Sequence, residues 1–133
     1  MPMQKVSSAD AAPVGATANG NTIIEAPFTG TVVGVTYTPV AAVTGAASTA
    51  SRTISVINHA QDGSGAVSVA SLALVVGVNL VAFDEKALTL SGTAANLAVN
   101  QGDILSFNSL AVTSATGLAD PGGKVEITFA RNN

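Results

Sequence analysis

The chain contains no cysteine and no tryptophan, one histidine, one tyrosine and very little charge: 10% of its 133 residues, against about 25% in ordinary soluble domains. Without cysteine there are no disulfides, no thiol catalysis and no thiolate metal sites. Five basic residues, Lys5, Arg52, Lys86, Lys124 and Arg131, are scattered along a chain of net charge −3. Binding to nucleic acid needs a basic stripe that neutralises phosphates, and none can be assembled from them. No H-x-H, H-E-x-x-H or D-x-D-x-D-G pattern occurs, and there is no G-x-S-x-G elbow. The opening "MPMQKVSSADAAPVGATANG" lacks the apolar run of a secretory signal.

One uncharged stretch, Gly65 to Phe83, is long enough to span a bilayer. Its apolar residues alternate with Ser and Ala, and Gly77 and Asn79 interrupt it, so a buried β segment is expected and no membrane contact. What the chain has in abundance is Val, Ala, Thr and Gly arranged with a period of two. "TIIEAPF" sets Ile24, Ala26 and Phe28 on one face, and "TVVGVTYTP" sets Val33, Val35 and Tyr37 together. "RTISVINH" aligns Ile54 with Val56. "AVSVASLALVV" begins with Val67 and Val69 and then changes phase to Leu72, Leu74 and Val76, which predicts a β-bulge near Ser71. "KALTL" offers Leu88 and Leu90, and "DILSFNSL" offers Leu105 and Phe107. "KVEITFAR" is the cleanest run, with Val125, Ile127 and Phe129 inward.

Turn chemistry separates these runs: Asp62-Gly63, "NQGD" at Asn100–Asp103 and "DPGG" at Asp120–Gly123. Val40–Ser51 reads as a long loop of small residues. Seven or eight short strands with crossing connections describe an all-β, antiparallel β-sandwich, immunoglobulin-like or jelly roll. Lacking a Cys pair and Trp, the chain has none of the usual immunoglobulin hallmarks, so a jelly roll of about eight strands is expected over residues 22–133. Residues 1–21 show neither period, and Pro13, Gly15 and Gly20 interrupt any helix, so an extended, flexible N-terminal arm is expected there. Within it Met3, Val6 and Val14 are the apolar anchors available to a partner.

Few residues offer chemistry. His59 ends the third predicted strand, where a local hydrogen bond is expected and catalysis is not. The densest charge is Asp84-Glu85-Lys86, and Asp84 and Glu85 are the candidates to join Asp103 or Asp120 around calcium. A solvated charge cluster is the expectation instead, with no metal and no cofactor. Tyr37, Phe107 and Phe129 lie on inward stripes, which leaves no aromatic platform for a sugar. A Lys–Asn isopeptide bond needs a buried lysine, and Lys86 and Lys124 have outward character. No catalytic residue is assigned.

The segments "TGTVVGVTYTP", "RTISVINHAQDGSG", "VASLAL", "GVNLVAFDEKALTLSG", "VNQGDILSF" and "TGLADPGGKVEITF", in this order, resemble the small head decoration (capsid cement) proteins of tailed bacteriophages. The similarity spans roughly Thr22 to Arg131. It implies a jelly-roll structural protein, not an enzyme, assembled in the host bacterial cytoplasm and placed on the outer capsid surface of the virion. There it would bind the major capsid protein, as a homotrimer, and cross-brace its capsomers. The arm, through Met3, Val6 and Val14, is expected to order only on the capsid and to supply much of the affinity. The alternative is a fibre, spike or adhesin domain that recognises a host surface.

Overall fold

A computed structural model of the chain describes residues 3–44, 52–111 and 118–131. Ten strands lie among these residues: β1 (Gln4–Ala11), β2 (Gly20–Glu25), β3 (Gly30–Pro39), β4 (Arg52–Asn58), β5 (Val67–Leu74), β6 (Lys86–Ala87), β7 (Thr89–Leu90), β8 (Ala98–Val99), β9 (Ile104–Ala111) and β10 (Gly123–Arg131). One 3₁₀ turn, Ala94–Leu97, precedes β8, and no α-helix occurs among the described residues. All strand pairings among the described residues are antiparallel. The first sheet runs β1-β10-β3-β6, with β8 also on β3, and the second runs β2-β9-β4-β5-β7. The protein is an all-β sandwich, as its period of two requires.

The core lies between the sheets. Val125, Ile127 and Phe129 of β10 are completely buried, as are Ile54 and Val56 of β4 and Leu105 of β9. Each such side chain removed from water contributes roughly 1.5–3 kcal/mol. Tyr37 of β3 meets Phe107 of β9 across the layers, ring centroids 5.0 Å apart and tilted by 34°. Leu88 is buried and Leu90 packs half-buried against the same core.

Three local expectations change. The register of β3 on β10 shifts between Thr128 and Phe129: Thr128 faces Gly34 and Phe129 faces Val32, leaving Val33 without a partner. The bulge turns Val33 outward and puts Val32, not Val33, in the core with Val35 and Tyr37. On β5 the phase change expected near Ser71 falls at Val69, because Val56 faces Ala70 while Ile57 faces Ser68. Val69 and Ala70 are consequently both buried, whereas Val67 and Val76 are exposed.

The third change concerns the arm. Within the segment 1–21 expected to be flexible, Gln4–Ala11 is an edge strand, paired residue for residue with β10 from Gln4↔Ala130 to Ala11↔Gly123. Val14 then bridges Asp120 through two backbone hydrogen bonds of 2.9 and 3.0 Å, and Gly20 already begins β2. The inward positions of β1 are Ser7, Ala9 and Ala11, opposite Ile127, Val125 and Gly123. Such small residues carry no apolar alternation, and the strand is held by its backbone ladder.

Candidate functional site

The Asp-Gly connection between β4 and β5 closes by local hydrogen bonds. Gly65 N–H donates to His59 C=O at 3.0 Å, and Asp62 accepts from both the N–H and the hydroxyl of Ser64 at 3.0 and 2.6 Å. The Ser64 hydroxyl, then its N–H, hold the Asp62 carboxyl below its usual range. This turn aims the His59 ring back over the outer face of the second sheet. Its Nδ1 lies 3.1 Å from the Gly65 carbonyl and its Nε2 lies 2.7 Å from Ser106 Oγ on β9. Asn108 Nδ2 donates to the same Ser106 Oγ at 2.9 Å. Asn21, Ile23 and Ile104 join these three residues around a groove of about 400 Å³. His59 thus has the expected local bond, to Gly65. The bond to Ser106 joins residues 47 positions apart, beyond the reach of any sequence motif in this chain.

A second feature is apolar. Between β5 and β6 the chain makes two turns, one over Val75–Val78 with Gly77 at φ +86° and one over Val81–Asp84 with Phe83 at φ +61°. Leu80, between them, is buried and bridged to Val43. Phe83 N–H donates to the Pro39 carbonyl at 2.8 Å, fixing the turn beside the end of β3. The result is a knuckle: Phe83 is 77% exposed, with Val81 and Val40 at 59% and 52%. A left-handed conformation for phenylalanine costs about 1–3 kcal/mol, and here it points the ring into solvent. Asp84 and Glu85 are exposed beside it and Lys86 is half-buried. Periodicity does not reveal Phe83, which falls where the alternation stops.

A third cluster lies inside. Arg52, fully buried at the start of β4, donates from Nε to Leu118 C=O at 2.7 Å and from Nη2 to Gly15 C=O at 2.7 Å. Its Nη1 donates to the Ser109 carbonyl and hydroxyl at 3.1 and 3.2 Å. The Ser109 hydroxyl in turn donates to Asp120 Oδ2 at 2.6 Å, and Tyr37 OH donates to Asp120 Oδ1 at 2.6 Å. Gly122 N–H completes the set on Oδ1 at 2.9 Å. Burial, reinforced by the Asp120 hydrogen bond, raises the Tyr37 phenol far above its ordinary pKa; burial also lowers that of Arg52, against the pull of Asp120. The cluster ties both sheets to the segment after β1 and plugs one end of the core.

These placements keep the four candidate calcium ligands apart. Asp120 is committed to Tyr37 and Ser109, and Asp103 to the Asn58 amide at 3.1 Å and the Asn100 N–H at 2.8 Å, while Asp84 and Glu85 stand in the solvent-facing turn. Among the described residues no three His, Cys, Asp or Glu side chains gather around a common point. No lysine among them is buried, so the isopeptide arrangement is not formed. Tyr37, Phe107 and Phe129 are core residues. Gly65–Phe83 forms β5 and the knuckle loop, and no described helix is long and apolar enough to cross a membrane. Of the three arm anchors, Met3 and Val6 are exposed, whereas Val14 is held against Asp120 and Gly20. No family model, no curated protein and no solved structure matches this chain.

Proposed function

We infer that this chain is a structural virion protein that binds the outer surface of a bacteriophage capsid as a homotrimer and cross-braces capsomers of the major capsid protein. The observation that carries the reading is the apolar knuckle of Val40, Val81 and Phe83. A phenyl ring held in solvent on strained backbone is costly for a free domain and useful to one that docks. Its acidic flank, Asp84 and Glu85, suits a capsid surface presenting an apolar socket rimmed by lysine or arginine. The partner and the trimer come from the segments that resemble capsid cement proteins. Met3, just before the edge strand β1, and Val6 within it are exposed and extend the surface available to that partner.

The strand order supports the finer jelly-roll reading. With β6 and β8 counted as one interrupted strand beside β3, four strands β1-β10-β3-β6/β8 face β2-β9-β4-β5, to whose edge the two-residue β7 is added; without that short addition this is the count of a double Greek key. Bracing of this kind calls on no catalytic step, cofactor, metal, membrane or nucleic acid, and the site of action is the exterior of a virion assembled in the host cytoplasm.

The test is to incubate the protein with purified undecorated capsids and measure occupancy by imaging. Wild type should decorate the shell and Phe83→Asp should lose most of its occupancy while keeping its fold. Failure of the wild type to bind any shell, with binding to host cells instead, would transfer the chain to the adhesin class.

A further inference from the structure

The groove over β2 and β9 carries a feature that a bracing protein does not require. The Gly65 carbonyl can only accept, so the 3.1 Å contact puts the proton of a neutral His59 ring on Nδ1. Nε2 is then the acceptor, and Ser106 Oγ at 2.7 Å must be its donor. The Asn108 amide donates to the same Ser106 Oγ at 2.9 Å, so the oxygen accepts there and its proton is left for His59 Nε2. Nucleophile, base and a group that orients the base are thus joined by two successive contacts. A backbone carbonyl occupies the orienting place that a carboxylate fills in the most active triads.

Ser106, largely buried, lines the groove of about 400 Å³ together with Ile23 and Ile104. Ile23 and Asn21 face Ser106 and Asn108 directly across the β2–β9 ladder. The isoleucines offer a short apolar surface, and the exposed amide side chain of Asn21 offers a neutral hydrogen-bond donor. No described carboxylate, lysine or arginine lines the groove. These features suit a small, uncharged acyl group better than an ionic ligand.

We propose that Ser106 is a nucleophile activated by His59, which accepts the acyl group of small neutral esters and passes it to water. As the bond from Ser106 Oγ to the ester carbonyl carbon forms, the hydroxyl proton moves to His59 Nε2. The carbon–oxygen bond to the alcohol breaks, and the departing oxygen takes that proton. Water then repeats the exchange, releasing the carboxylic acid and restoring Ser106.

The wild-type protein is treated with a fluorophosphonate probe and the adduct is mapped by tandem mass spectrometry, alongside hydrolysis of p-nitrophenyl acetate. An adduct on Ser106 is expected, absent in Ser106→Ala. The labelling rate should fall about 100-fold in His59→Gln, the usual scale of lost general-base catalysis. No adduct, an adduct on another residue, or unchanged labelling in His59→Gln overturns the proposal, because a hydrogen bond that only straps the β4–β5 turn to β9 predicts those results. Circular dichroism confirms that each variant is folded, and the mapping on wild type decides by itself if one is not.

Discussion

Replacing Tyr37 with phenylalanine removes one oxygen atom from the interior and leaves the ring against Phe107 in place. At neutral pH the variant loses a hydrogen bond to a carboxylate, which costs about 2 kcal/mol; Asp120 keeps its donors from Ser109 and Gly122. High pH reverses the comparison. Tyr37 is the only tyrosine in the chain, and its folded phenol is raised far above the ordinary value by burial and by Asp120. A group whose folded pKa lies above its unfolded pKa contributes its full stability below the unfolded value, about 10, and loses it as pH rises from there towards the folded value. In that window the unfolded chain ionises and the folded chain does not, so wild type loses about 1.4 kcal/mol per pH unit that the Tyr37→Phe variant does not lose. The two stability curves should therefore cross near about pH 11.5. Urea unfolding of both proteins between about pH 8 and 12 measures this, since every other titrating group is common to both. A stability difference independent of pH would refute the assignment, as would phenolate absorbance appearing near pH 10 in the folded protein, the ordinary value for a tyrosine.

Four other outcomes follow from the same structure. Asp120→Ala leaves Tyr37 OH and Ser109 without their acceptor and Arg52 buried without a counter-charge, and should cost about 3–5 kcal/mol in chemical denaturation. Gly122→Ala forces a side chain onto φ +86° and against the Ala11 carbonyl at 2.8 Å; a lowered melting temperature, equivalent to about 1–3 kcal/mol, is expected. Phe83→Asn, which tolerates the left-handed conformation, should leave stability equal or slightly higher while reducing capsid occupancy. In hydrogen exchange, the amides of β1 that face β10 should be protected in the free protein, and exchange at the rate of an unstructured peptide would restore the flexible-arm expectation.

The legibility of this fold varies with how much of each strand faces the core. β10 and the first half of β9 bury large apolar residues at alternate positions, so Val125, Ile127, Phe129, Leu105 and Phe107 announce themselves. β1 turns Ser7, Ala9 and Ala11 inward, and nothing in "QKVSSADA" distinguishes an edge strand from a loop. Bulges defeat phase more narrowly: a valine pair such as Val32-Val33 fits either face until the register of the partner is known. The candidate sites are less legible still. His59 is visible as the only histidine, but its partner Ser106 is one serine among many, and Phe83 lies outside any period.

Alternation of apolar residues and the Asp-Gly, Gln-Gly-Asp and Pro-Gly-Gly turns by themselves determined an all-β chain with most of its core and its reversals, because strand period and positive-φ turns are properties of neighbours in sequence. The docking of β1, the two bulges, the closure of Arg52, Asp120, Tyr37 and Ser109 into one buried cluster, and the approach of His59 to Ser106 were decided only in the tertiary structure. Most of these join residues tens of positions apart, and such contacts exist only once backbone pairing has set the register of one strand against another.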